Sequence, residues 1–487
     1  DLKCKVVGEG GNLGCTQLGR IEAARSGVRI NTDAIDNSAG VDTSDHEVNI
    51  KILLNQAMES KGLGIDERNT LLASMTDEVG HLVLRDNYEQ NLILEQSRTK
   101  AHEMVSVHKR LMESLESTGL LNRAVEYLPT DMQMDSLQAQ NLGLTSPELS
   151  VLMAYVKIDL TSSFTEESVV DEDWCIPVLT NYFPTALRQK YSDLMLKHPL
   201  RREIISTVMT NDMINRGGIT YALRANEESG ATPAEILRAY VVSRDVFGFK
   251  QLWEEVEQLD RKVSTDCQVA VYLEARRLLD RATRWFLQAR GGRLDVAGEI
   301  NKFAKDVERL SPRIPDLLRG SEKTRYEADV AKYVALGTPE PLARKVAGLL
   351  DVFSLLDVIE IAVRHKADSD RVVELYFALS ERYDVDRLLH HITHLNRADR
   401  WTAYARSAMR SDLYVALAGL TSRVAQATNQ SDSVDKRIET WEERFAEGVG
   451  RTRATLNEIA ASENTDLATL SVALRAIRTL VGQGASQ

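Results

Sequence analysis

Residues 3–16 read Lys-Cys-Lys-Val-Val-Gly-Glu-Gly-Gly-Asn-Leu-Gly-Cys-Thr, and this stretch decides how the N-terminal part of the chain is interpreted. Its first five residues are typical of a short strand, and the glycines after them predict a tight turn with exposed backbone. Helical spacing follows over 17–26, a second strand over 28–32, another turn over 36–40 and a helix from about Ser44. This alternation predicts a piece of an α/β domain.

The rest of the chain is predicted to be helical. From about Asp66 the apolar residues recur with a helical period, for example over 87–118 and 266–288. Thr145 and Thr232 each precede a glutamate by three residues, which predicts a capping box at a helix start. The chain has only 10 prolines in 487 residues, well below typical usage. We therefore predict a mainly α fold with a small α/β part at its N-terminus.

Composition excludes several classes of partner. The net charge of −12 argues against nucleic acid, because phosphate backbones are bound through clustered excess Lys and Arg. The most apolar stretch, 346–363, contains three acidic residues, so we predict no membrane span. The four cysteines are scattered without a CxxC pair, which favours a reduced compartment and predicts a cytoplasmic protein. The chain has no initiator Met or signal segment, and we expect it to start inside a longer protein.

The glycine-rich turn does not match the dinucleotide fingerprint. Gly-x-Gly-x-x-Gly beginning at Gly8 would need glycine at position 13, where Leu13 stands. The turn is therefore not predicted to bind a pyrophosphate. Cys15 follows it, and a lone cysteine beside a turn is more often a packing residue than a reactive thiol.

Three strings of polar residues carry a more specific signal. Glu9-Gly-Gly-Asn12 is followed by Asn31-Thr-Asp-Ala-Ile-Asp-Asn37 and by Asn37-Ser-Ala-Gly-Val-Asp-Thr-Ser-Asp-His-Glu47. Polar residues packed this densely need partners or a ligand. In these strings the sequence resembles the large bacterial NAD-specific glutamate dehydrogenases. Arg85-Asp-Asn-Tyr-Glu-Gln90 and Thr145-Ser-Pro-Glu-Leu-Ser-Val-Leu-Met-Ala-Tyr-Val-Lys157 resemble the helical C-terminal region of that family.

The resemblance implies a cofactor, a substrate and the residues that bind them. Asn12 and Asn37 fall where the family's asparagines hold the nicotinamide ring of NAD, whose carboxamide a side-chain amide can match as donor and acceptor. Ser44 falls where the family's serine binds the side-chain carboxylate of glutamate. Thr16 takes the place of a family threonine and is a further candidate for substrate binding. The alternatives are a turn preference for the asparagines and a helix cap for the serine.

The resemblance also implies a division of the chain and of the reaction. Residues 1–65 would end a Rossmann-like dinucleotide-binding catalytic domain, 66–134 would be long connecting helices, and 135–320 and 321–487 would be two helical domains. No catalytic residue is expected in this chain, since the family's lysine and aspartate would lie upstream of Asp1. The intact enzyme would convert L-glutamate to 2-oxoglutarate and ammonia with NAD.

Two other interpretations stay open. The chain by itself could be a helical oligomerisation or regulatory module without activity, and the resemblance implies a homotetramer. The intact enzyme could also act on leucine or phenylalanine, although an apolar side chain would not need the hydroxyl of Ser44. His390, His391 and His394 lie on one predicted helix, where His390 and His394 share a face. No cysteine or acidic residue follows at a spacing that would complete a zinc site, so no metal site is predicted.

Overall fold

The computed structural model describes residues 3–291, 294–395, 400–461 and 466–483. Within these ranges the chain forms 27 α-helices and four short 3-10 helices, at Ala101–Met104, Val169–Asp171, Asp173–Cys175 and Ser311–Arg313. The chain divides into two compact units. The first contains Asp1–Val241 with Thr283–Ala297, and the second contains Val242–Ala282 with Gly298–Gln487.

The helices of the first unit follow each other with short connections. They are α1 (Gln17–Arg25), α2 (Asp33–Asp36), α3 (Ser38–Lys61), α4 (Ile65–Ser74), α5 (Thr76–Thr99), α6 (Val105–Ser117), α7 (Asp131–Ala139), α8 (Ser146–Glu166), α9 (Ile176–Tyr182), α10 (Thr185–Met195), α11 (Arg201–Gly217), α12 (Tyr221–Ser229) and most of α13 (Pro233–Val246). Helix α3 packs against α5, and α8 packs against α1, α5 and α11. Leu53, Leu54 and Ala57 recur on one face of α3 and are fully buried, so apolar burial fixes which face of α3 turns inward.

The second unit is also built from helices in its described part. These are α14 (Phe249–Glu257), most of α15 (Thr265–Arg290) and of α16 (Val296–Leu310), α17 (Ile314–Leu317), α18 (Gly320–Ala335), α19 (Glu340–Ala347), α20 (Leu349–Val352), α21 (Leu355–His365), α22 (Ser369–Arg382), α23 (Val385–His394), α24 (Arg400–Ala427), α25 (Val434–Arg444), α26 (Ala446–Ala461) and α27 (Leu467–Gln483). Helix α22 packs against α21, α24 and α25, and α27 packs against α24 and α26. Among the residues that the structure describes, no helix combines the length and the apolarity that crossing a bilayer requires.

The helical predictions are confirmed where local signals set them. The segment 266–288 forms α15, and 87–118 forms helix that is interrupted near Lys100 by a 3-10 turn. Both capping boxes are present: the backbone N–H of Thr145 donates to Glu148 at 2.7 Å, and that of Thr232 donates to Glu235 at 2.8 Å. These contacts join residues three apart in the chain, which is why the sequence alone reveals them.

The two predicted strands are not formed as extended strands in the described residues. One parallel bridge joins Val6 to Arg29. Its hydrogen bonds run from Val7 N–H to the Arg29 carbonyl and from Arg29 N–H to the Lys5 carbonyl, each at 2.9 Å. A parallel pair gains stability from neighbouring strands and from helices on both faces, and the described chain supplies no third strand here. The prediction of strands over 3–7 and 28–32 is therefore wrong beyond this bridge.

The helix predicted from about Ser44 begins earlier. Helix α2 ends at Asp36 and helix α3 starts at Ser38, so that only Asn37 lies between them. The predicted turn over 36–40 is thus largely helical, and Ser44 lies in the second turn of α3 rather than at its end. The free backbone amides of a helix start belong to its first turn, so they lie close to Asn37 and not at Ser44.

A close backbone approach at Gly143 gives a test of the packing in the first unit. A Cβ atom at Gly143 would lie 2.3 Å from the backbone carbon of Ala101, so Gly143→Ala should force the two segments apart. We expect the free energy of unfolding to fall by about 1–3 kcal/mol, measured by urea denaturation. Gly80→Ala in α5 is the matched control. A Cβ there meets no atom within 4 Å, and alanine should stabilise the helix by up to about 1 kcal/mol. Equal effects of both substitutions would contradict the packing described here.

Candidate functional site

A buried ion pair shapes the glycine-rich turn. Arg20 of α1 donates from Nε to Glu9 Oε2 at 2.6 Å and from Nη2 to Glu9 Oε1 at 2.8 Å. Both residues are only 6% exposed, so the carboxylate and the guanidinium form a two-pronged pair in a dry setting. Glu9 Oε1 also accepts the backbone N–H of Cys15 at 2.8 Å. The far end of the turn is thereby tied to its beginning.

Two aspartates of α2 hold the rest of the turn. Asp36 Oδ2 accepts the backbone N–H of Glu9 at 2.9 Å, and Asp33 Oδ2 accepts that of Leu13 at 2.9 Å. Asp33 Oδ1 also lies 3.2 Å from Arg20 Nη2. Leu13 has a φ of 61°, a left-handed conformation that a non-glycine residue adopts at a cost of order 1 kcal/mol. The hydrogen bond from Leu13 to Asp33 offsets part of that cost.

The pKa values of these carboxyl groups follow from their contacts. The hydrogen bonds from Arg20 lower the pKa of Glu9 below its ordinary value of 4.5, and they outweigh the opposing effect of burial. The backbone N–H of Leu13 lowers the pKa of Asp33, and the charge of Arg20 lowers it further. Both groups are therefore ionised at neutral pH and stabilise the fold in that form.

Asn12 and Asn37, the two residues predicted to bind the cofactor, lie in contact. Asn37 Nδ2 donates to Asn12 Oδ1 at 3.1 Å. The other polar atoms of the pair, Asn12 Nδ2 and Asn37 Oδ1, have no hydrogen-bond partner among the described residues. One amide donor, on Asn12, and one amide acceptor, on Asn37, therefore remain unused at the start of α3. A Cβ atom at Gly40 would lie 2.9 Å from Asn37 Oδ1, so this glycine leaves the space that the amide occupies.

A ladder of asparagines from α5 holds the start of α3. Asn87 Nδ2 donates to the Ile35 carbonyl and to Ser38 Oγ, both at 2.9 Å. Asn91, one helical turn later, accepts from Asn31 Nδ2 at 2.8 Å. The residues on either side of Asn37 are therefore fixed by side chains that lie some fifty residues further along the chain. Sequence reasoning missed this role of Asn87, although it lies within the string Arg85–Gln90 that carries part of the family resemblance.

Ser44 and Thr16 have their hydroxyl groups engaged locally. Ser44 is exposed, and its Oγ donates to the Gly40 carbonyl one turn earlier at 3.3 Å. This is a long bond that a ligand could replace. Thr16 Oγ1 accepts the backbone N–H of Gly19 at 3.1 Å and caps α1. Thr16 thus already has the structural role that its position before a helix favours.

Sequence reasoning also missed Arg20, Asp33 and Asp36 as parts of the site. The available signal was Glu9, an acidic side chain in a glycine-rich turn, which needs a cationic partner once it is buried. The histidines at 390–394 lie on α23, in the second unit. The ring centres of His390 and His394 lie 4.1 Å apart, with the ring planes tilted by 36°, and no acidic or cysteine side chain forms a metal-binding group with them in the described part of the chain.

Comparison with known proteins identifies the family. The family model "Glutamate dehydrogenase, C-terminal" matches residues 141–479, and "Bacterial NAD-glutamate dehydrogenase, catalytic domain" matches residues 1–97. The chain belongs to the bacterial NAD-glutamate dehydrogenase family. Within this family it is 43% identical to the NAD-specific glutamate dehydrogenase of Mycobacterium tuberculosis over its full length. It is 41% identical to that of Pseudomonas aeruginosa over 99% of the chain, and 37% identical to that of Halomonas elongata over 98%.

The chain spans about 30% of the length of these curated relatives. The match to the catalytic-domain model ends at residue 97, close to the end of α5 at Thr99. It therefore includes the asparagine ladder together with the turn that the ladder supports. The family assignment confirms the resemblance first inferred from the strings at 9–12, 31–37 and 37–47.

The ion pair gives a pH-dependent prediction for this family member. Arg20→Met leaves the Glu9 carboxylate buried without its partner, so the free energy of unfolding at about pH 7 should fall by about 3 kcal/mol. In the wild type, the stability from the lowered pKa of Glu9 is present above its ordinary value of 4.5 and is lost as the pH falls further. The deficit of the variant should therefore shrink as the pH falls towards about 4, because the buried carboxylate that has lost Arg20 can take up a proton. Urea unfolding at both pH values measures this.

Arg29→Met serves as the control for charge removal. Arg29 pairs with Glu95 at 3.0 Å, but its side chain is 53% exposed, so its loss should cost under about 1 kcal/mol. A deficit for Arg20→Met that is the same at both pH values would show that packing, and not the buried carboxylate, causes the loss.

Proposed function

We propose that the protein containing this chain is an NAD-dependent glutamate dehydrogenase that oxidises L-glutamate to 2-oxoglutarate and ammonia. The observation that carries the proposal is the Asn12–Asn37 amide pair, with its unused donor and acceptor, in a chain whose curated relatives are named NAD-specific glutamate dehydrogenases. The chain contributes binding groups for cofactor and substrate. The lysine and aspartate that the family resemblance implies for catalysis would come from the part of the protein outside this chain.

The domain arrangement proposed from the sequence is retained. Residues 1–65 would end a Rossmann-like dinucleotide-binding domain, 66–134 would be connecting helices, and 135–320 and 321–487 would be helical domains. The parallel bridge between Val6 and Arg29, which α1 connects, supports the first of these. A helix that joins two parallel segments is the repeating unit of such domains.

The amide pair fits the cofactor that the family name implies. NAD supplies a hydride acceptor when it is bound, and its nicotinamide carries a carboxamide with one donor and one acceptor side. Asn12 Nδ2 and Asn37 Oδ1 offer the complementary atoms. Their mutual hydrogen bond at 3.1 Å and the Asn87 contacts beside Asn37 hold these atoms in place before a ligand arrives. The chain would thereby orient the ring face towards the substrate.

Ser44 would bind the side-chain carboxylate of glutamate. Its hydroxyl is exposed and is held only by a 3.3 Å bond to the Gly40 carbonyl, so it can turn towards an anion at little cost. It stands two helical turns from Asn37, which separates the substrate's far carboxylate from the nicotinamide by about 10 Å along the helix. Thr16 remains a further candidate, although its hydroxyl caps α1.

A second role, self-association as a homotetramer, is proposed for the helical C-terminal unit. Several of its helices expose large apolar side chains: Trp401 is 73% exposed and Val415 62% exposed on α24, and Val472 is 53% exposed on α27. Exposed apolar side chains on adjacent elements are typical of interaction surfaces. With L-glutamate and NAD as small-molecule ligands, we propose a cytoplasmic protein that binds neither nucleic acid nor membrane.

The catalytic proposal is tested on the full-length protein by glutamate-dependent reduction of NAD. Ser44→Ala should raise the KM for glutamate about tenfold or more, because one hydrogen bond to a charged group contributes about 1.5–3 kcal/mol. Asn37→Ala should instead raise the KM for NAD. Thr43→Ala is the control: its hydroxyl is also exposed and bonds one turn back, to the Ala39 carbonyl at 2.7 Å. It should change neither constant.

The rival interpretations give other results. Activity with leucine or phenylalanine in place of glutamate would remove glutamate from the proposal. No NAD reduction by the full-length protein would leave the helical oligomerisation or regulatory module. Equal effects of Ser44→Ala and Thr43→Ala on the KM for glutamate would exclude Ser44 as the carboxylate ligand.

Self-association is tested by light scattering on the 487-residue chain. We expect a mass of four times 54.5 kDa, and a smaller mass for the double variant Val415→Glu with Val472→Glu, because buried charges disrupt an apolar contact. Val125→Glu is the control, since Val125 is 66% exposed in the first unit. A monomer at high concentration would contradict the proposal.

A further inference from the structure

A histidine and two aspartates converge between α3 and α5, on residues to which the proposed function assigns no role. One carboxylate oxygen of Asp42, one ring nitrogen of His46 and one carboxylate oxygen of Asp86 lie within 4.8 Å of one another. Asp42 and His46 are one helical turn apart on α3, and Asp86 faces them from α5. In the described part of the chain, this is the one group of three such side chains close enough to hold a metal ion.

His46 is the observation that points to a ligand. Its side chain is 3% exposed, and its Nδ1 has no hydrogen-bond partner among the described residues. Its Nε2 lies 4.0 Å from Asp42 Oδ1, too far for a hydrogen bond. An imidazole buried in this way loses its bonds to water without regaining them, at a cost of about 1–3 kcal/mol. A bound cation would use one of these nitrogens.

The two carboxyl groups also lack a cationic partner in hydrogen-bond contact. One oxygen of each lies within 4.8 Å of the other, and Asp42 Oδ2 is buried with no partner among the described residues. Burial and the charge of Asp42 raise the pKa of Asp86 to about 7. Two facing carboxylates repel each other unless a proton or a cation lies between them.

The surrounding charges leave room for a divalent cation. The ammonium group of Lys157 is close enough to interact with Asp86 and Glu89, but no hydrogen bond joins it to Asp86 in the described chain. Glu89 is already bound by Arg216, at 2.6 Å. Asp45 adds a further negative charge near Asp42. The three carboxyl groups of Asp42, Asp45 and Asp86 thus face one ammonium group, that of Lys157.

We propose that Asp42, His46 and Asp86 bind a divalent cation of the Mn²⁺ or Zn²⁺ class. Two carboxylate oxygens and one imidazole nitrogen form a donor set that such ions accept, with bonds of about 2.1 Å. Ligand atoms around such an ion lie roughly 3.0–3.5 Å apart, so the present separations must close by about 1 Å. Asp42 can move, because its side chain is 22% exposed. His46 is held by its ring, which stacks on Tyr182 at 4.4 Å.

The proposed site would join α3 to α5. One of its ligands, Asp86, directly precedes Asn87, whose side chain bonds to residues on both sides of Asn37. It goes beyond the proposed dehydrogenase function and does not depend on it. It also departs from the sequence analysis, which predicted no metal site and considered only the histidines at 390–394. The ligands proposed here come from segments about forty residues apart, which no local pattern brings together. The only signal in the sequence was the Asp42–His46 spacing of one helical turn.

The test is calorimetric titration of Mn²⁺ into the metal-stripped 487-residue chain, with competition by Zn²⁺. We expect one saturable site in the wild type. Asp86→Asn and His46→Gln should each weaken it at least about tenfold, since even changes in residues behind the metal ligands cost about 10–100-fold in affinity. Asp77→Asn, an exposed acidic residue on the same helix as Asp86, is the control and should leave the affinity unchanged.

Pulsed EPR of the Mn²⁺ bound to the wild type gives an independent readout of the ligands. Nitrogen modulation from an imidazole ligand should appear in the wild type and disappear in folded His46→Gln. The absence of a saturable site, a site that neither variant weakens, or bound Mn²⁺ without nitrogen modulation would each overturn the proposal.

Discussion

The two-pronged ion pair between Glu9 and Arg20 is the interaction on which the N-terminal site depends. A glycine-rich turn has many conformations open to it, and fixing each residue costs about 1–2 kcal/mol in backbone entropy. The pair restricts the turn at both ends, because Glu9 at its beginning accepts hydrogen bonds from Arg20 of α1 and from the backbone N–H of Cys15 at its end. Once the turn is fixed, Asn12 meets Asn37, and the chain acquires a defined arrangement of amide groups.

Long-range polar contacts complete this arrangement. Asn87 bonds on both sides of Asn37, and Asn91 bonds to Asn31. These are neutral amides in partly buried positions, where each unmade bond would be costly and each made bond therefore fixes a position. The first turn of α3 is consequently set by α5 more than by its own capping residue, since the Asn37 side chain makes no capping hydrogen bond. Its amide is left for Asn12 and for a ligand.

The features that the sequence predicts well are those set by neighbouring residues. Capping boxes at Thr145 and Thr232 depend on contacts three residues apart, and the long helices depend on a periodic apolar pattern. The contact between Asn12 and Asn37 was inferable only through the family resemblance. The start of α3 at Ser38, the partnership of Glu9 with Arg20 and the convergence of Asp86 on His46 depend on packing between distant segments, which no local pattern encodes.

Helix α1 is hydrogen-bonded to the segment at the start of α8 through two main-chain carbonyl oxygens of that segment. Gln17 donates to the Pro147 carbonyl at 3.2 Å, and Arg25 donates to the Gly143 carbonyl at 2.8 Å. Main-chain oxygens keep the same chemistry whatever side chains surround them. These two bonds therefore do not depend on the side chains at 143 and 147, provided that position 143 stays small, whereas the ion pair of Arg25 with Glu148 at 3.4 Å does require an acidic side chain.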